Sequence, residues 1–160
     1  MNKKTLKIIQ RVHELFNKNN LTCSVAESCT GGLISHYITA LPGASNFFEA
    51  GVVSYSAEMK KEILGVSSAI ISKYGAVSEE TAREMAEKIR ALTKTDFSVS
   101  TTGNLGPDVL EGKERGLVYI AVSKKGMTFS KELRLTGSRE ENKEEAALEA
   151  LRFLVEITDQ

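Results

Sequence analysis

The sequence predicts a three-layer α/β/α sandwich built on a mixed β-sheet. Short apolar, β-branched runs alternate with amphipathic segments, helices both precede and follow those runs, and one pair of runs near the C-terminus reads as an antiparallel hairpin. At 160 residues the chain suits one domain, 1–160, with a single core and no internal repeat, linker or low-complexity tract.

The elements follow in order. Lys4 to Lys18 sets Ile8, Ile9, Val12, Leu15 and Phe16 on one helical face, opposite Lys, Arg and Glu. Leu21 to Ala26 reads as a strand, Gly31 to Leu41 as a helix closed by Pro42-Gly43, and Glu49 to Ser56 as a second strand. A short helical segment, Ala57 to Leu64, carries Lys60. Ser78 is an N-cap, with Glu79 and Glu80 favourable to the helix dipole, and Ala82, Met85, Ala86, Ile89 and Leu92 form the core stripe that follows. Phe97 to Thr101 is a buried strand, and Leu117–Ser123 with Thr128–Leu135 is a hairpin turning at Lys124-Lys125-Gly126. The connection between them, Gly103 to Gly116, holds four glycines and Pro107, and connections of that length are more often functional than idle. Ser138-Arg139-Glu140-Glu141 is a capping box for a last helix that turns Ala147, Leu148, Leu151, Leu154 and Val155 to the core.

Charge excludes several function classes. Lysine plus arginine number 21 and aspartate plus glutamate 21, so no net field attracts nucleic acid or an anionic membrane. No apolar run approaches a membrane span, and the N-terminal segment does not read as secretory. Cys23 and Cys29 lack the spacing of a zinc site or a disulfide framework, and the compartment reads as the reducing cytoplasm.

Chemistry centres on Ala26-Glu27-Ser28-Cys29-Thr30-Gly31-Gly32, where a strand hands over to a helix. Open α/β sheets place their sites at such ends. Gly31 and Gly32 let a ligand approach the backbone and leave amides able to hold an anion; alternatively, Ser28 or Thr30 only caps the helix. A serine nucleophile needs a base, and the two histidines, His13 and His36, sit within helices and read as surface or packing residues. A lysine base is the remaining precedent, and Tyr55 to Lys60 offers a tyrosine at a strand end with a lysine shortly after it. A solvated lysine, with a pKa near ~10.4, is almost wholly charged at neutral pH, so the role requires a buried Lys60; adjacent Lys61 keeps the solvated reading open. Thr101-Thr102-Gly103-Asn104-Leu105-Gly106-Pro107 is a second glycine-rich turn able to present amides to a phosphate or an oxyanion. Arg139 opposes the helix dipole from the first turn, so it is either simply exposed or holds a bound anion. Cys29 reads as a small buried residue packed behind the turn, with a reactive thiol as the other possibility.

The Glu27-Ser28-Cys29-Thr30-Gly31-Gly32 run, with Pro42-Gly43-Ala44-Ser45, Phe48-Glu49, Tyr55-Ser56, Leu64-Gly65-Val66 and Gly75-Ala76-Val77-Ser78-Glu79, resembles the C-terminal domain of the competence-damage-inducible CinA family across almost the whole chain. Stand-alone members are nicotinamide mononucleotide deamidases; longer relatives carry an N-terminal nucleotide-processing domain for which 160 residues leave no room. The resemblance implies hydrolysis of a pyridine mononucleotide carboxamide without a metal or cofactor, in pyridine nucleotide salvage, by a cytoplasmic homo-oligomer, expected to be a dimer. It places the nucleophile on Ser28, the base on Lys60 and an assisting tyrosine on Tyr55. Glu27, Thr30, Gly31, Gly32, Thr102, Gly103 and Arg139 are expected to bind substrate, with amides near Thr30 and Gly31 as the oxyanion hole and Arg139 with the Thr102–Gly103 amides on the phosphate.

The chain departs from the family where Asn104-Leu105 replaces Ile-Ala, where Glu111 to Gly116 replaces a glycine-rich stretch ending Lys-Pro-Val-Gly, where Ala50 replaces arginine, and where Ser138 replaces aspartate. Two other readings stand beside the amidase: a nucleotide-binding module without turnover, and a partner in competence or recombination, for which the neutral charge predicts no salt-sensitive DNA binding.

Overall fold

The computed structural model describes residues 1–160. Its sheet has five strands, β1 (Cys23–Glu27), β2 (Phe48–Val53), β3 (Phe97–Gly103), β4 (Leu117–Lys124) and β5 (Met127–Arg134), in the order β2-β1-β3-β4-β5. Strands β2, β1 and β3 run parallel, while β4 and β5 are antiparallel, as a mixed sheet requires. Helices α1 (Lys3–Lys18), α2 (Leu33–Thr39) and α6 (Arg139–Thr158) cover one face, and α4 (Ser68–Tyr74) with α5 (Glu79–Thr93) covers the other. No helix is long and apolar enough to cross a membrane.

The two-residue strand period assigns each face. In β3, Phe97 and Val99 join Ile9, Val12, Phe16, Ile34, Leu151 and Leu154 in the larger core. The alternate residues Ser98 and Ser100 face α5 and donate to the carbonyls of Ala86 (2.6 Å) and Ala82 (2.5 Å). Small residues on both sides let this helix lie close to the sheet, so the serine hydroxyls satisfy buried carbonyls across the interface. His13 is likewise a packing residue: its Nε2 lies 2.8 Å from the Ile38 carbonyl oxygen and its ring meets Phe47 edge-on.

Two assignments differ from the expected pattern. Leu92 is 63% exposed and not part of the α5 stripe, which closes at Ile89. Leu92 lies seven residues after Met85 and within about 20° of it around the helix, so its face is right; it is exposed because it sits in the last turn of α5, beyond the part of the helix that packs on the sheet. Helix α4 was not expected, because it buries none of its residues and so carries no apolar stripe; it is marked only by Ser67, whose side chain accepts from the Ile70 amide.

The sheet has its switch point at β1, which pairs with β2 on one side and β3 on the other. The chain leaves β1 through α2 on one face and reaches β3 through α5 on the other, which opens a crevice at the carboxyl ends of β1 and β3. Ile89→Ala should cost about 3 kcal/mol in denaturant unfolding and Leu92→Ala less than about 0.5 kcal/mol; equal losses would reject this orientation of α5.

Candidate active site

Strand alternation continues past β1 and sends consecutive residues to opposite faces. Glu27 turns toward α2, where its carboxylate accepts from the Thr30 hydroxyl (2.6 Å), the amides of Gly32 (3.2 Å), Ile34 (2.9 Å) and Ser35 (2.9 Å), and the Ser35 hydroxyl (2.8 Å). It is a buried anion that satisfies the open N–H groups at the start of α2. Ser28 instead falls on the α5 face and lies beside Lys60.

Lys60 arrives by an unusual piece of backbone. Ser56 caps a single α-turn, α3 (Ala57–Met59), which passes into a π-helix, Lys60–Leu64, closed by Gly65 at φ 80°. The wider π-turn rotates Lys60 inward until it is only 1% exposed, while Lys61 stays at the surface near Glu58 (3.7 Å). Lys60 Nζ lies 2.8 Å from Ser28 Oγ and 3.0 Å from each of the Ser54 and Tyr55 carbonyl oxygens. Burial lowers its pKa from the ordinary 10.5 to about 8, opposed by charge at Cys29 and Glu111. Burial also pushes the Cys29 thiol up to about 12, so that thiol is neutral at these pH values and Glu111 is the effective opposing charge.

This arrangement suits a base. A neutral amine has two N–H bonds and one lone pair; the two carbonyls accept the N–H bonds, and the lone pair is left for the Ser28 hydroxyl. While the lysine is charged, Ser28 Oγ donates to the Tyr55 carbonyl (3.3 Å).

Ser28, Cys29, Tyr55, Ala57, Lys60, Ala76, Val77, Thr102, Gly103, Leu110 and Glu111 line a cleft of about 220 Å³. Of the residues expected to bind substrate, Thr102 and Gly103 are there, and the Thr102 hydroxyl donates to the Ala76 carbonyl (2.7 Å). Glu27 and Thr30 are not. Both are fully buried and bonded to each other, and their part is to build the turn. Gly31 and Gly32, at φ 58° and 104°, also lie outside the cleft, and their amides are engaged by the Ser28 carbonyl and the Glu27 carboxylate. The expected Gly31 amide is therefore corrected: the amides of Cys29 and Thr30 are the ones without an internal acceptor.

Arg139 is neither simply exposed nor on the cleft wall. It donates to the Gly106 carbonyl (2.6 Å) and to the Tyr55 hydroxyl (2.9 Å), which accounts for a cation in the first turn of a helix. The Tyr55 ring stands at the cleft rim, 59% exposed, with its oxygen bonded to Arg139 and not to Ser28 or Lys60. What Tyr55 supplies to the buried pair is its main-chain carbonyl. Sequence reasoning missed the Ser54 and Tyr55 carbonyls, which leave no side-chain signal. It also missed Glu111, whose visible sign was a Glu-Gly turn inside the long loop.

Comparison with known proteins gives the family and the fold. The family model described as CinA C-terminal domain matches residues 5–158. A relative from Thermoanaerobacter pseudethanolicus, provisionally named a competence-damage inducible protein, is 48% identical over 141 residues, covering 88% of this chain and 34% of the relative. The chain thus spans about a third of the length of the curated relatives it matches. The crystal structure of the competence/damage inducible protein CihA from Agrobacterium tumefaciens superposes with a TM-score of 0.95 at 31% identity, covering 100% of this chain and 98% of that one. A CinA superfamily protein from Escherichia coli superposes at 0.94 with 30% identity, covering 98% and 92%.

Glu27→Gln should lower stability by about 3 kcal/mol, because an amide cannot accept all five bonds, yet leave substrate KM unchanged in the folded fraction. A raised KM in a stable variant would return Glu27 to the substrate site. Lys60→Met tests burial of the amine. Below pH 8 the proton that Lys60 holds in a dry site costs the folded state about 3 kcal/mol, and between pH 8 and 10.5 the unfolded chain binds that proton while the folded chain does not. The variant should therefore unfold about 1–3 kcal/mol less readily than wild type at pH 7, with the advantage shrinking as the pH approaches 10.5. A pH-independent difference would mean the amine is hydrated.

Proposed function

This chain belongs to the CinA C-terminal domain family, and from that premise we propose that it is an amidohydrolase that converts nicotinamide mononucleotide to nicotinate mononucleotide and ammonia. The observation that carries the proposal is the 2.8 Å contact between Ser28 Oγ and a buried Lys60 amine with no carboxylate partner.

In this reading Lys60, neutral, takes the Ser28 proton as Oγ attacks the carboxamide carbon. The carbonyl oxygen becomes an oxyanion, for which the free Cys29 and Thr30 amides are the nearest unengaged main-chain donors in the nucleophile's turn. The C–N bond breaks, the nitrogen takes up a proton and leaves as ammonia, and the acyl group remains on Ser28. In this reading that proton is the one Lys60 took from Ser28, relayed by Tyr55, which gives up its phenol hydrogen and is reprotonated from Lys60, so both groups regain their starting forms; Arg139 donates to the phenol oxygen and leaves its O–H hydrogen available to the cleft that Tyr55 lines. Water then attacks the ester with Lys60 again as base, releasing the acid and restoring Ser28. Cys29 lines the same cleft, but a thiol held up near 12 by burial stays protonated and leaves the nucleophile's role to the serine. The family's place in pyridine nucleotide salvage, and a cytoplasmic homo-oligomer as its working form, belong to the same proposal.

Ammonia and nicotinate mononucleotide should accumulate on incubation with nicotinamide mononucleotide. Ser28→Ala and Lys60→Arg should each lower kcat by about 10³-fold or more with the fold intact, since arginine does not give up its proton. The reacting form of Lys60 is the neutral one, so kcat/KM should rise with pH through about 8 and level off above it. Binding of the nucleotide without ammonia release by the wild type would favour a regulatory module in place of an enzyme.

A further inference from the structure

The Gly103–Gly116 loop borders the Ser28–Lys60 cleft, and its base and tip are held differently. Its base is built into the fold: Asn142 donates to the Leu105 carbonyl (3.1 Å), Asn104 Oδ1 accepts from the Gly106 amide (3.1 Å), and Arg139 holds the Gly106 carbonyl. Its tip reaches across the cleft. Leu110 to Lys113 form a tight turn closed by the Lys113 amide on the Leu110 carbonyl (2.8 Å), with both Glu111 and Gly112 at positive φ, 54° and 69°.

A glutamate at positive φ is an unfavourable choice where glycine or asparagine would fit, so its side chain must offset the cost. Its carboxylate accepts from the Ala76 and Val77 amides, 2.9 Å each, on the far wall of the cleft. Gly75 at φ 91° makes the approach possible, because a Cβ there would lie 2.8 Å from Glu111 Oε1. From the same turn, Lys113 Nζ reaches the Tyr74 carbonyl (3.4 Å). Leu110 and Glu111 themselves line the cleft that holds Ser28 and Lys60.

We propose that Glu111 is a latch: its carboxylate clasps the 75–77 turn across the Ser28–Lys60 cleft and holds the 104–116 loop as a closed strap that substrate must release to reach Ser28. The two bonds are made at an exposed tip, while the base of the strap stays anchored, so release swings the tip without unfolding the site. Glu111 is a positioning residue and takes no part in the chemistry.

The test compares wild type with Glu111→Gln and Glu111→Ala. Hydrogen exchange at the Ala76 and Val77 amides should quicken about tenfold or more in Glu111→Ala and less in Glu111→Gln, which keeps one acceptor, while exchange along β3 stays unchanged and certifies the fold. A small fluorophosphonate that phosphonylates Ser28 Oγ with loss of fluoride should react about tenfold faster with Glu111→Ala, the factor equivalent to about 1.4 kcal/mol. Unchanged exchange at both amides overturns the latch, and so does slower phosphonylation, which would mean that Glu111 builds the cleft instead of closing it. The second readout rests on Ser28 being the proposed nucleophile and the first does not. Faster exchange in proteins that never label at Ser28 would therefore uphold the latch and reject the amidase.

Discussion

The site depends on keeping one amine dry. Lysine is among the residues least often buried, and here no carboxylate neutralises Lys60; two main-chain carbonyls and a serine hydroxyl replace its water. Carbonyl dipoles stabilise an ammonium less than an ion pair would, and so the pKa falls instead of rising. That imbalance is a loss for stability and a gain for chemistry. A nearby carboxylate would have made a sound salt bridge and a useless base.

The same segment that brings Ser28 to the lysine also sets the turn behind it. Because β1 alternates, Glu27 and Ser28 leave the strand in opposite directions, one toward α2 and the other toward the π-helix. The buried Glu27 carboxylate gathers the first amides of α2 and so fixes the path of residues 29–32, which in turn leaves the Cys29 and Thr30 amides unengaged near Ser28. A residue outside the cleft thus determines which donors remain available beside it.

Much of this was legible in the sequence. The capped helices at Ser78 and Ser138 and the hairpin at Lys124-Lys125-Gly126 are local patterns, written in adjacent residues. The residues alone offered Lys60 as a base for Ser28 but left it open whether the amine was buried or solvated, because 32 positions separate the two and no local rule joins them; the resemblance chose between the readings. Glu27 was misassigned for a general reason: a carboxylate beside a nucleophile reads as functional, and only the strand phase tells which face it takes. Arg139 shows the same limit, since its guanidinium answers to Gly106 and Tyr55, residues remote in the chain. Leu92 has the right helical phase but stands in the last turn of α5, and periodicity does not tell where along the helix the packed surface ends.

The reacting pair and the long loop across the cleft are held in different ways. Ser28 and the carbonyls that hold Lys60 stand at strand ends, and Lys60 follows on a short helix closed against the sheet, where the backbone is fixed by pairing and burial. The residues from Asn104 to Gly116 belong to a loop whose Leu110 and Glu111 line one wall of the cleft and which makes no hydrogen bond to Ser28 or Lys60. A wall can change its charge and its closure while the reacting pair keeps its geometry, because reaction type is set by a few buried ångströms and substrate choice by everything the ligand passes on its way to them. Glu111 makes the point concrete. It adds negative charge to the wall and opposes the lowered pKa of Lys60, so that whatever enters this cleft must suit a carboxylate at its mouth as well as an amine at its base.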